Sequence, residues 1–185
     1  MKSTKPQLVA VDGIDAAAVL AAAHAAIGSP PRGGISRWDA SGVFQDLSVA
    51  EEAAGAPSAR VLLLLYATDL AFRLRWEIRP ALAEGRTVVA APYIDTALAF
   101  GRAAGVPVAW LINLLRFAPR PSDQRFVHPA GGRALAAAGG FVAFSCERMG
   151  GANGLTPRQI IERTAANLRG AERRYMGRTR SVRGR

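Results

Sequence analysis

The chain has 185 residues, half of them apolar and 21% charged, with a net charge of +10. That length suits one domain with a sizeable core, and the composition excludes global disorder. The longest apolar runs, near Val61–Tyr66 and Val106–Leu115, are too short for the ~20 residues of a bilayer-crossing helix, and no secretory leader is expected at Lys2 and Lys5.

The single cysteine, Cys146, fits a reducing cytoplasmic setting and reads as an ordinary small apolar residue. His24 and His128 stand apart and predict no metal site. The charge is uneven: Arg169–Arg185 holds seven Arg and one Glu, so it supplies +6 of the +10. This division gives an α/β domain over 1–168 and an Arg-rich tail over 169–185. Clustered Arg neutralises phosphate, so the tail is either a solvated appendage or a contact for nucleic acid or an acidic partner.

In chain order, the apolar Leu8–Val11 predicts a buried parallel strand. Asp15 is placed to cap a helix over Ala16–Ile27, where alanine favours helix. A short strand is expected at Ile35–Arg37. A long helix over Ser58–Glu84 puts Leu62, Leu65, Tyr66, Asp69, Phe72, Arg73 and Trp76 on one stripe. Arg73, Arg75 and Arg79 on it read as a solvated face.

A third strand at Thr87–Ala90 ends at Pro92, followed by helices at Ile94–Ala104 and Val108–Phe117. Gln124–His128 predicts a fourth strand. The low-complexity Pro129–Gly140 follows, and Phe141–Ser145 reads as strand. Pro157, in the favoured first turn, opens a final helix through about Tyr175. Strands alternating with helices predict an α/β fold with a mainly parallel sheet.

Three blocks carry a resemblance: VDGIDAAAVL at 11–20, LLLLYATDLAFRLRWEIRPALAEGRTVVA at 62–90 and APYIDTALAF at 91–100. Together they resemble the thymidylate kinase family, whose members read EGIDGAGKST, LLLYAADRAQHVREVIRPAL and DRYIDSSLAY at these places. The resemblance covers residue 8 to about 126 and continues loosely to Tyr175. It implies a three-layer fold of the P-loop nucleoside monophosphate kinase type, a parallel sheet flanked by helices, and a homodimer. It also implies phosphoryl transfer from ATP with Mg²⁺.

The departures fall on the phosphate chemistry. A P-loop uses glycines to converge backbone N–H groups on phosphate, a Lys to reach the β/γ oxygens and a hydroxyl to help hold Mg²⁺. Here the glycine positions are Ala16 and Ala18, the Lys position is Val19, and the hydroxyl positions are Leu20 and Ala21. Lys2 and Lys5 precede the first strand, away from the carboxyl edge where nucleotides bind. Arg32 and Arg37 are the cations nearest to replacing them.

The Asp-Arg-Tyr segment has become Ala91-Pro92-Tyr93, Leu70 replaces an Arg after Asp69, Arg37-Trp38-Asp39 keeps only the Arg of the family's Arg-Glu-Pro, and Arg133 alone remains of an Arg-bearing lid. The expected protein is a kinase-like pseudoenzyme with no cofactor, Mg²⁺ and ATP entering only if an active kinase with a non-standard phosphate site survives. Its remnant phosphate loop is Asp12, Gly13 and Asp15. Its nucleoside pocket is Arg37, Tyr66, Arg75, Tyr93 and Phe100, although Tyr66 and Phe100 equally suit a core and Asp15 a helix cap. The expected partners are a second copy, a protein partner and a nucleotide ligand, with nucleic acid through the tail and no membrane.

Overall fold

The computed structural model describes residues 6–27, 33–40, 42, 44, 55–129 and 138–183. The expectations for Lys2, Lys5, Arg32 and Arg133 lie outside them. Strand β1 (Leu8–Gly13) leads to helix α1 (Ala16–Ile27) and β2 (Gly33–Arg37). Helix α2 (Ala59–Arg73) passes through a π-helical turn at Leu74–Ile78 into α3 (Arg79–Ala83). Then come β3 (Thr87–Ala91), α4 (Ile94–Ala103), α5 (Val108–Leu115), β4 (Asp123–Val127), α6 (Gly140–Met149) and α7 (Pro157–Arg183).

The four strands form a parallel sheet in the order β2-β3-β1-β4. Side chains alternate across a strand, so each strand feeds two cores. Val9 and Val11 of β1 join Val89 and Ala91 of β3 against Val19 and Ala23 of α1. Leu8, Ala10, Val88 and Ala90 face the larger core, shared with α2, α4, α6 and α7. The result is helix, sheet, helix, the three-layer arrangement expected from the sequence.

Two expectations are corrected. Phe141–Ser145 is not a strand but lies in α6, where Phe141, Val142, Phe144 and Ser145 are all buried. Its short apolar run fits a buried helix as well as a strand, and period alone does not separate them. The stripe assigned to the long helix is also rotated. Leu62, Leu63, Tyr66, Leu70 and Leu74 point inward, while Phe72 and Trp76 are 61% and 68% exposed. The final helix runs past Tyr175 to Arg183, so residues 169–183 continue the helix that begins at Pro157.

Helix α7 lies along α4, α6 and β4. Its Asn167 donates to the Ala99 carbonyl at 3.0 Å, and Glu172 pairs with His128 Nε2 just after β4 at 2.7 Å. The close approach of β1, β4 and α1 depends on Gly13. A Cβ there would meet Val19 Cγ2 at 2.7 Å and the Val127 carbonyl oxygen at 2.8 Å. The carbonyl belongs to the strand ladder and has no room to retreat, so Gly13→Ala should destabilise the protein by roughly 1–3 kcal/mol. Urea unfolding checks this, and an unchanged midpoint would contradict the packing argument.

Candidate functional site

In a parallel α/β sheet, ligands collect beyond the carboxyl ends of the strands. At that edge Asp12 is buried, and its Oδ1 accepts from Tyr93 N (2.9 Å), Thr96 N (2.9 Å) and the Thr96 hydroxyl (2.8 Å). Gly13 N in turn donates to Thr96 Oγ1 at 3.1 Å. Asp12 therefore caps α4 from the neighbouring strand and occupies donors that would otherwise be orphaned at that helix start. Burial pushes its carboxyl up to about 7, with Asp95 adding to the rise and the Thr96 and Tyr93 bonds opposing it.

The next turn is closed on itself. Helix α1 begins at Ala16, three residues before the position of the family lysine. Asp15 Oδ1 accepts from Ala18 N at 2.9 Å, and the Asp15 carbonyl accepts from Val19 N at 2.9 Å. Two of the backbone donors at this turn, Ala18 N and Val19 N, are thus used inside the helix. From the other side Gly139 N donates to the Ile14 carbonyl at 2.8 Å. That contact is so close that a Cβ on Gly139 would stand 2.9 Å from the Ala16 methyl.

Beside this turn is a cavity of about 390 Å³ whose lining includes Ala16, Val19, Leu20, Arg37, Trp38 and Asp39. Arg37 also borders a smaller cavity of about 130 Å³, shared with Asp69, Arg73 and Trp76. Arg73 is 3% exposed, a correction to its reading as part of a solvated face. Its Nε donates to Asp69 Oδ2 at 2.7 Å, and its Nη1 to the Pro92 carbonyl at 3.1 Å and the Ser36 carbonyl at 3.4 Å. Arg73 Nη2, Trp38 Nε1 and Ser36 Oγ have no partner among the described residues. Three unmet buried groups so close to the end of β2 are unusual, since most buried polar atoms are satisfied.

The other residues named from the sequence separate into two groups. Tyr66, Tyr93 and Phe100 are fully buried and line none of these cavities. The Tyr66 hydroxyl donates to the Tyr93 carbonyl, and Tyr93 Oη donates to the Pro119 carbonyl at 2.7 Å. Burial holds both phenols far above the ordinary range. The Phe141 ring centroid lies 4.6 Å from that of Tyr66 and 5.2 Å from that of Phe100, so both rings pack within the core. Arg75 is exposed and sits over the Trp76 ring at 5.5 Å, outside both cavities.

Phe141, Arg73 and Ser36 were not singled out as site residues in the sequence. The Asp69–Arg73 spacing of four was the one local signal, and it marks an ion pair rather than an exposed row. Cys146 is buried, and burial with Glu147 beside it lifts its thiol to about 11, against a role as nucleophile. Among the described residues no group of three or more His, Cys, Asp or Glu is arranged to hold a metal.

Two archaeal proteins are similar in sequence to part of this chain. A probable thymidylate kinase from Pyrobaculum calidifontis is 30% identical over 115 residues, 61% of this chain and 59% of the relative. One from Pyrococcus horikoshii is 43% identical over 58 residues, 31% of this chain and 28% of the relative. The crystal structure of thymidylate kinase from Ehrlichia chaffeensis superposes with a TM-score of 0.58 at 14% identity, covering 68% of this chain and 78% of that one. The chain is thymidylate kinase-like, with the P-loop kinase fold. The matched part spans less than two thirds of either archaeal relative, and no family model matches the chain. Within this thymidylate kinase-like fold, the turn after β1 has the position of a phosphate loop and the hydrogen bonding of a capped helix.

The Asp12 linkage has a definite sign. Its folded value of about 7 lies above the ordinary 3.8, so the stability it contributes is full below 3.8 and is lost as pH rises through about 7. The thermal midpoint of the wild type relative to Asp12→Asn should therefore fall between pH 4 and pH 8. A difference that stays constant with pH would show that Asp12 is not protonated in the fold.

Proposed function

We propose that this protein is a thymidylate kinase-like pseudoenzyme that serves as a structural or regulatory partner and performs no phosphoryl transfer. The observation that supports the reading is the use of Ala18 N and Val19 N within the Asp15 cap and the first turn of α1. Phosphoryl transfer depends on donors held ready for the phosphate oxygens, and one lost oxyanion donor costs other enzymes on the order of 10²–10³ in rate. Here those two donors are already engaged, the lysine position is Val19, and Leu20 and Ala21 stand at the hydroxyl positions. These residues do not fit ATP with Mg²⁺, and no chemical step is routed through either.

The cavity beside Arg37 remains as the place for a weak nucleotide contact, with Trp38 Nε1 and Arg73 Nη2 as unmet donors nearby. A cytoplasmic setting suits the buried single thiol, and no described helix is long and apolar enough to cross a membrane. A coupled assay with dTMP, ATP and Mg²⁺ should stay at background, and calorimetry should show no ATP binding. Turnover above background that Arg37→Gln removes would overturn the reading in favour of a kinase with a rebuilt phosphate site.

A homodimer is the proposed assembly, on the strength of an exposed apolar surface. Val61 and Leu64 of α2 and Val108 and Ile112 of α5 are each 46–57% exposed, and Arg60 joins the two helices by lying over Trp110 at 5.7 Å. Apolar surface of this kind on adjoining helices marks a contact surface. Light scattering should give a dimer mass that Leu64→Glu/Ile112→Glu converts to monomer with unchanged circular dichroism. A wild type that is monomeric at all concentrations would remove the proposal.

A further inference from the structure

A second cavity of about 390 Å³ lies where α7 crosses β4 and the start of α4, and it shares no lining residue with the cavity at the sheet edge. Its cations come from two elements, Arg120 from the turn before β4 and Arg174 and Arg178 from α7. The spacing of four residues puts Arg174 and Arg178 on one face, about 6 Å apart along the axis. None of the three makes an ion pair within 4.0 Å among the described residues. Asp95 is the one counter-charge in the lining, so three guanidinium groups face a single carboxylate and keep an excess of positive charge that a bound anion offsets.

The remaining lining narrows the ligand. Asp95 supplies the one carboxylate; it accepts from Gln124 Nε2 at 3.0 Å, and its titration is influenced by Arg174. It repels a phosphate and accepts from a hydroxyl, so it suits the uncharged middle of a ligand whose end is anionic. Phe126 and Tyr175 are half-buried with ring centroids 6.3 Å apart and offer an apolar wall for a planar ring. Guanidinium groups for phosphate beside aromatic side chains for a base are the combination that holds single nucleotides and unpaired strands. The volume is within the range of small-molecule sites. The His128–Glu172 pair ties α7 to the end of β4 and holds the cleft's walls together.

We infer that this cleft between α7, β4 and the start of α4 is a binding site for a nucleoside phosphate, either free or at the end of a single strand of nucleic acid. Arg120, Arg174 and Arg178 hold the phosphate, Tyr175 and Phe126 flank the ring, and Asp95 with Gln124 reads the polar middle. Binding rests on guanidinium–phosphate attraction, so affinity falls with salt.

The test uses the full chain and calorimetry or fluorescence anisotropy with four probes. They are dTMP, thymidine, and a ten-residue oligothymidylate with and without a 5′-phosphate. The expected result is that a phosphorylated probe binds, and that Arg174→Gln/Arg178→Gln and Tyr175→Ala each weaken it by about tenfold or more, the scale of a lost charge-assisted bond or base stack. Thymidine should bind at least about tenfold more weakly than dTMP if the free nucleotide is the ligand; binding confined to the 5′-phosphorylated strand identifies a strand end instead. Arg169→Gln/Arg173→Gln, with the same charge change on exposed positions, should leave affinity within about twofold. Equal loss in the two double variants would reduce the effect to net charge and overturn the site, as would the absence of binding by every probe. Loss with Arg37→Gln but not with Arg174→Gln/Arg178→Gln would place the ligand at the sheet edge and overturn this inference while leaving the other cavity in use.

Discussion

A carboxylate buried at the end of the central strand organises the sheet's carboxyl edge. Asp12 accepts two backbone N–H groups and a hydroxyl from the start of α4, which joins the exit of β1 to the exit of β3 through one oxygen. Removing such a charge from water is costly unless it is hydrogen-bonded. Here the bonds also satisfy donors at a helix N-terminus, whose partial positive charge favours an acidic group. Because that oxygen fixes where α4 begins, it also fixes Tyr93, whose carbonyl receives the Tyr66 hydroxyl. The position of α2 relative to the sheet is therefore tied to the same contact.

The edge built on this contact keeps the shape of a nucleotide site and uses its hydrogen bonds differently. A phosphate loop leaves backbone donors open and needs a ligand or water to satisfy them. In this chain Asp15 satisfies Ala18 N and Val19 N from within, and Gly139 closes on Ile14 and Ala16 from the other side. The two rings expected at a nucleoside pocket, Tyr66 and Phe100, are core residues that pack on Phe141, which also contacts Trp38.

The sequence revealed the strands and their order of alternation with helices because β1 and β3 are short apolar runs between polar turns, and parallel strands have that pattern on both faces. It also revealed which chemical groups the phosphate turn lacks. The α6 segment reads as a strand in the sequence because a short, mostly apolar run bounded by glycine and acid carries no period long enough to distinguish helix from strand. Tyr66 and Phe100 show a different limit. Their positions matched a ring-binding pattern, but whether a ring faces a cavity or a neighbouring Phe is set by α6, far away in the chain. Arg73, Arg75 and Arg79 look alike in the sequence, and only the contacts of Arg73 with the chain at the ends of β2 and β3 mark it as the buried one.

The arginines near the C-terminal end also read differently once folded. In the sequence they are a run of charge, and a run of charge is explained by solvation. In the structure one helix carries residues 157–183, so angular position decides what each arginine meets. All four of Arg169, Arg173, Arg174 and Arg178 are exposed, but only Arg174 and Arg178 border a cleft, with Tyr175, Phe126 and Arg120. A net charge acts on any polyanion at a distance and is screened within about 10 Å at 0.1 M salt. A cleft with rings, a carboxylate and an amide discriminates among anions by shape, because the phosphate, the hydroxyls and the ring of one molecule must all be placed together. What separates a basic tail from a binding site is therefore the helical phase that turns two of its arginines toward β4.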